Sequence, residues 1–290
     1  MKISTVRDNF LLLAPATVLV VGLLLVPLFM NVVLSLYNWT AFRSGLEFSG
    51  FDNYRQLDQQ NLLVPTVIRT LIYTFLAATL MVFGSLSLAL SLEKNTRSNQ
   101  ILRTVFFAPL ILSPLAVGFV FRALLGLDGA INGIISTVLL RPIAIPWLGS
   151  TELSLFVVST AVAWRWGPVL FIVFVAGLAA VPTDLIDAAK SDGAGPWSLI
   201  RYIKIPLIAP AITFNVVIAL ITALNIFETV FVLTGGGPGR STQVLNFLVI
   251  IEFAKGRWGV AAALSTFLYA AIFIATVPLV ANLRRREVQL

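Results

Sequence analysis

The chain has no cysteine and no histidine. Disulfides, thiolate nucleophiles, imidazole bases and the commonest metal ligands are thereby excluded, and with them a Ser-His-Asp hydrolase or a zinc metalloprotease. Charge is scarce as well. Only 11% of the 290 residues are Asp, Glu, Lys or Arg, against 58% apolar, and the mean hydropathy is +0.95. That balance excludes an ordinary soluble domain. What the chain has instead is long apolar runs. A bilayer core takes about 20 helical residues, and six runs reach that length, at about 10–36, 64–92, 105–125, 153–179, 207–233 and 260–282. The expectation is an all-α membrane protein, a single transmembrane domain over 1–290. The first run follows Lys2 and Arg7 and passes through Leu13-Ala14-Pro15-Ala16, a build shared with signal peptides. It is too long for that and lacks a clean cleavage site after it, so it reads as a retained helix.

The net charge of +7 raises the question of nucleic acid, and its distribution answers it. With the N-terminus in the cytoplasm, that side takes Lys2, Arg7, Lys94, Arg97, Arg103, Lys190, Arg201, Lys204, Arg284, Arg285 and Arg286. The outer side takes only Arg43, Arg55, Arg141, Arg240, Lys255 and Arg257, over longer loops. This asymmetry is that of cytoplasmic loops in membrane proteins, and it predicts six spans with both termini inside. The basic excess is topology; no nucleic-acid partner is expected. Thr234-Gly235-Gly236-Gly237-Pro238-Gly239 is an outer loop, since no helix tolerates that glycine density. It lacks the lysine and the spacing of a phosphate-binding loop, and no ATPase motif occurs elsewhere.

One stretch reads as a compact polar unit, Val181 to Trp197, closed by Ile205-Pro206. Thr183 or Asp184 is suited to cap a helix, with acidic residues in its first turn. Gly193 is placed to end that helix at positive φ. Pro196 fits the first turn of a second helix, Trp197 to Ile203, which Pro206 ends or kinks. Two short helices joined by a glycine turn make a knob, and Ala188 and Ala189 leave one flank smooth.

The run Asp187-Ala188-Ala189, then Asp192-Gly193-Ala194, then Pro206, resembles the EAA loop of binding-protein-dependent ABC importer permeases. The order of segments from Phe10 to Arg286 is similar to the carbohydrate-uptake branch of that family, the permeases like those for maltose and glycerol-3-phosphate. Gly50–Tyr54, Arg103–Pro109 and Leu233–Pro238 add support. Asp187 stands where the family has glutamate, Ile200 where an aromatic is common, and Ile205 where leucine is usual. The resemblance implies a type I ABC importer permease fold with a cytoplasmic EAA coupling helix, in a bacterial inner membrane. It implies ATPase coupling through Asp187, Ala188, Ala189, Asp192, Gly193, Ala194 and Pro206. The chain itself would be non-catalytic and hold no cofactor. Its implied partners are a second permease in a heterodimer, two ATPase subunits that bind ATP and Mg, and an extracytoplasmic solute-binding protein that delivers a sugar-like substrate.

Polar groups inside a span are costly and point to function. On a continuous fifth helix at about 100° per residue, Asn215, Thr222, Asn225 and Thr229 share an arc of about 80°, with Glu228 about 60° to one side. That stripe reads as the lining of a solute pathway or as interhelical hydrogen bonding. Trp164-Arg165-Trp166 and Phe121-Arg122 put arginines beside aromatics, either to hold a solute or to snorkel to the interface. Gly167-Pro168, and likewise Pro109 and Pro114 in the third span, suggest locally broken helices of the kind transporters use around a site. The competing reading is an ion-coupled secondary transporter of a small polar solute, for which Glu228 is the candidate carboxylate. An intramembrane enzyme finds no nucleophile–base pair. The knob separates the first two classes, because a self-powered transporter has no use for it.

Overall fold

The computed structural model describes residues 13–94 and 96–284. In chain order these form α1 (Leu13–Leu34), β1 (Tyr37–Asn38), β2 (Glu47–Phe48), α2 (Asp52–Gln59), α3 (Leu63–Ser91), α4 (Arg97–Ile111), α5 (Pro114–Leu124), α6 (Ala130–Val138), α7 (Leu153–Ala179), α8 (Thr183–Ser191), α9 (Pro196–Leu207), α10 (Ala209–Leu224), α11 (Glu228–Leu233), α12 (Leu245–Ala254) and α13 (Trp258–Arg284). Among the described residues, the small antiparallel hairpin β1–β2 is the one departure from an all-α chain. The start of the first apolar run, residues 10–12, lies outside the described residues, as do Lys2, Arg7, Arg285 and Arg286.

Four helices, α1, α3, α7 and α13, are long and apolar enough to cross a bilayer by themselves; two bent pairs bring the number to six if each pair is one span. Both breaks have local causes. α4 and α5 meet at 106°, where Pro114 opens α5 and holds Ser113 extended at ψ 154°. The Ser113 hydroxyl accepts from the Ala116 N–H at 3.1 Å and caps the new helix. α9 and α10 meet at 73° across Ile208, just ahead of Pro210.

Two compact units can be told apart. The first comprises the described residues up to Val64 together with Leu248–Tyr269. There Asn53, 6% exposed, donates to the carbonyls of Ser35 at 2.8 Å and Tyr37 at 2.9 Å. Trp39 packs edge-on to Trp258, and buried Glu252 pairs with Lys255 and Arg257. The second unit comprises Pro65–Phe247 and the described residues from Ala270 on. Its centre is α7, which packs against α4, α5, α10 and α11. Phe106 and Phe107 of α4 meet Phe171 edge-on at 5.3 and 5.8 Å. Gly177 lets α10 approach, since a Cβ there would stand 2.9 Å from that of Ala211.

Two expectations about this unit need correction. α7 runs unbroken through Gly167-Pro168. A membrane helix tolerates proline where neighbours pack around it, and here Ser85 of α3 donates to the Gly167 carbonyl at 2.8 Å. The fifth apolar segment, in contrast, is not one helix. It divides at Ile208 and again between Asn225 and Phe227. Asn225 turns its side-chain amide back onto the Ile221 carbonyl at 2.9 Å, while Asn246 takes up the Asn225 carbonyl at 2.8 Å. With its carbonyl engaged from outside, the helix stops there.

Candidate functional site

The breaks around α7 leave a cavity of about 370 Å³ between helix ends. Pro114 lines it from the first turn of α5, and Val162, Arg165 and Trp166 from one face of α7. Ile221, Thr222 and Asn225 come from the end of α10, and Ile226, Glu228 and Thr229 from the second break and the start of α11. Arg165 donates from Nε to the Leu112 carbonyl at 3.1 Å, and its guanidinium carbon lies 4.9 Å from the Trp166 ring centre. It is half-buried; Glu228 is exposed, and no ion pair joins the two among the described residues. The hydroxyls of Thr222 and Thr229 and the amide oxygen of Asn225 likewise take no hydrogen-bond partner among the described residues. The cavity thus offers a cation, an anion, two hydroxyls and an amide in one place, its net charge close to zero. That set suits a polar solute rich in hydrogen-bonding groups.

Of the residues singled out in the sequence, Arg165, Thr222, Asn225, Glu228 and Thr229 come together here. Two do not. Asn215 is fully buried and donates to the Leu170 carbonyl at 3.0 Å, so it ties α10 to α7. Trp164 points away from the cavity and packs on Phe121 at 5.6 Å. Arg122, beside Phe121, reaches the Val232 carbonyl at 3.4 Å. Trp166, which the sequence offers only as an aromatic beside Arg165, is the lining residue in place of Trp164. The signal was available: Val162, Arg165 and Trp166 stand at i, i+3 and i+4, one helix face, from which Trp164 is turned away.

The second site is the pair α8 and α9. α8 buries no residue, and its turn onto α9 is closed by Gly193 at φ +83°. The Gly193 and Ala194 N–H groups donate to the carbonyls of Lys190 and Ala189 at 3.0 and 2.9 Å, which satisfies the helix end. Asp187, Ala188, Asp192 and Gly193 are exposed, while Ala189, Ala194 and Pro206 are half-buried. Neither Thr183 nor Asp184 caps α8. Pro182 holds the cap position, and both residues stand in the first turn, where Asp184 still suits the helix dipole. The second helix, expected over Trp197 to Ile203, begins at Pro196, widens into a π turn over Ile200–Lys204 and ends beyond Pro206, at Leu207. Leu185, Trp197 and Tyr202 are 44, 68 and 72% exposed, so the knob carries an apolar surface as well as charge.

Known proteins resemble this chain over most of its length. A probable ABC transporter permease protein of Bacillus subtilis, YurN, is 29% identical over 261 residues, 89% of each chain. The trehalose/maltose transport system permease protein MalF of Thermococcus litoralis is 26% identical over 279 residues, 96% of this chain and 94% of its own. The crystal structure of a bacterial ABC transporter involved in the import of the acidic polysaccharide alginate contains a chain that superposes with a TM-score of 0.78 at 21% identity. The match covers 97% of this chain and 98% of that one. The fold is therefore that of a type I ABC importer permease. The family model for the binding-protein-dependent transport system inner membrane component matches residues 81–287. That span takes in the cavity, the knob and the breaks between them, and it sets aside the secondary-transporter alternative. The chain belongs to this family, as a multi-pass inner-membrane permease subunit of an ABC importer.

Proposed function

We propose that the chain is a single transmembrane permease domain with six spans and both termini in the cytoplasm, and that it carries a sugar or sugar-like solute through the cavity beside α7. The observation that carries this reading is the cavity itself. Arg165, Thr222, Asn225, Glu228 and Thr229 converge there from three helices, with two hydroxyls and an amide oxygen that have no partner among the described residues, and with balanced charge. A polyhydroxylated, uncharged solute uses such groups directly. The names of relatives support the class: permeases of trehalose/maltose, lactose and multiple-sugar transport systems.

The knob α8–α9 is the cytoplasmic EAA coupling helix pair in this reading. Asp187, Ala188, Ala189, Asp192, Gly193 and Ala194 face a groove on an ATPase subunit, and Pro206 sets the exit from the knob. ATP and Mg are bound by two such ATPases. A second, different permease completes the pore, and a solute-binding protein delivers the substrate from outside; one structural relative was solved in complex with a periplasmic protein bound to an alginate pentasaccharide. Extraction in mild detergent tests the assembly. The expected composition is this chain, a second permease and two ATPase copies. A stable homodimer of this chain with two ATPases overturns the heterodimer, and transport by the chain with no ATPase overturns the coupling role of the knob. Import assayed with the cognate binding protein and a panel of neutral oligosaccharides, uronates and amino acids tests the substrate class.

A further inference from the structure

The knob is fastened to the rest of its unit by a polar knot at the turn between α3 and α4. Lys204, the last residue of the π turn in α9, is ion-paired with Glu93, the second residue past the end of α3. The side chains are 13% and 33% exposed, so the pair is largely withdrawn from water. Arg103 of α4 donates from Nη2 to the carbonyls of both Leu92 and Glu93. It braces the backbone on which Glu93 stands. The turn itself is loosely seated on α7. A cavity of about 160 Å³ lies between Glu93, Arg103 and the last turns of α7 at Val175, Leu178 and Ala179. With that space beside it the turn is free to follow α9, to which the Lys204–Glu93 ion pair joins it.

From that turn α4 runs 15 residues, about 22 Å at helical rise, stiffened by the contacts of Phe106 and Phe107 with Phe171. Just past its far end is the Leu112 carbonyl, held by Arg165 of the cavity lining. One continuous series of contacts thus joins the knob to the cavity: Lys204, Glu93, Arg103, α4, Leu112, Arg165. The π turn at the near end and the 106° break at the far end are the places where a helix yields.

We propose that Glu93 and Lys204, braced by Arg103, are positioning residues that transmit motion of the knob into α4 and so into the break that walls the cavity. The proposal rests on the coupling reading of the knob. Removing either charge leaves the other half-buried and unopposed, and restoring the pair in reverse restores the link. A merely structural contact elsewhere on the knob has no reason to respond to such a swap.

The natural absence of cysteine makes the test direct. Ile221→Cys, in the cavity lining, is labelled with a membrane-impermeant maleimide in the assembled complex, without nucleotide and again after trapping with Mg-ATP and vanadate. The expected labelling rates differ by about fivefold or more, the lower range for an allosteric coupling. With Glu93→Lys or Lys204→Glu the difference falls below about twofold although the ATPases still copurify, and with both substitutions together it returns. Should a charge reversal prevent insertion, Glu93→Gln and Lys204→Met carry the same expectation of lost response. A full response in the single variants, or none in the double variant, overturns the strut. Failure of the ATPases to copurify with the unaltered complex overturns instead the coupling reading on which it rests.

Discussion

Arg165 donates from Nε to the carbonyl of Leu112 at 3.1 Å, so the cation that lines the cavity also fastens the break between α4 and α5. A charged donor to a carbonyl contributes about 1.5–3 kcal/mol. Arg165→Met removes this bond and the stacking on Trp166 together, and uptake should fall by about tenfold or more. Arg165→Lys keeps the charge, but not the planar fork that allows stacking and hydrogen bonding at once, and should recover only part of the loss. Solute uptake into membrane vesicles supplied with binding protein measures both. Uptake by the lysine variant at the unaltered rate would mean that only the charge matters.

The polar stripe of the fifth apolar segment divides into two groups with different consequences. Thr222 and Asn225 line the cavity, whereas Asn215 holds α10 to α7 through the Leu170 carbonyl. Thr222→Val and Asn225→Leu should weaken uptake while the complex still assembles. Asn215→Leu should do the reverse, lowering thermal stability by about 1–3 kcal/mol because the buried Leu170 carbonyl loses its side-chain donor. Uptake and melting temperature, measured on all three, distinguish the groups. Equal loss of stability in the three would make the stripe helix glue throughout.

The reach of sequence reading follows the range of the physics involved. Span length, the knob and the positive φ of Gly193 depend on composition and near neighbours, and each is visible in a short window. The break at Pro114 belongs to the same class. Pro168 looks equivalent in sequence, yet α7 passes through it, because tolerance of that proline depends on α3 and α4 packing around it, which no local window contains. The division of the fifth segment at Asn225 depends similarly on Asn246, 21 residues further along. Asn215 and Asn225 are the same residue type on one nominal face. Tertiary partners alone make one a tie between helices and the other a cavity wall. Glu93 and Lys204 are 111 positions apart, and nothing in either neighbourhood announces the other.

Topology follows from the placement of basic residues. Reporter fusions after Asn61, Ser150 and Arg240 should read as outside, and fusions after Thr96 and Lys190 as inside. α4–α5 then counts as one span in spite of its 106° bend, and the fifth crossing begins with α10, after the 73° bend that parts it from the cytoplasmic α9. Either bent pair returning to its own side, as a re-entrant loop, would reverse the reporters that follow it. A reversal between Thr96 and Ser150 would point to the first pair, and one between Lys190 and Arg240 to the second.

Gly193 and Gly195 offer a controlled comparison within the knob. Neither has a non-neighbouring atom within 4 Å of where a Cβ would stand, so an added Cβ has open space at both positions. They differ in backbone alone: Gly193 is at φ +83°, and Gly195, at φ −74° and ψ 167°, is in a region open to any residue. A β-branched side chain in the left-handed region costs about 1–2 kcal/mol, and the turn between α8 and α9 must relax to relieve it. Gly193→Val should therefore reorient the knob and lower the solute imported per ATP hydrolysed, with insertion intact. Gly195→Val should couple like the unaltered chain. The ratio of ATP hydrolysed to solute imported, measured in vesicles for both variants, decides the matter. Normal coupling in an inserted Gly193→Val complex would show that the knob works without its glycine turn.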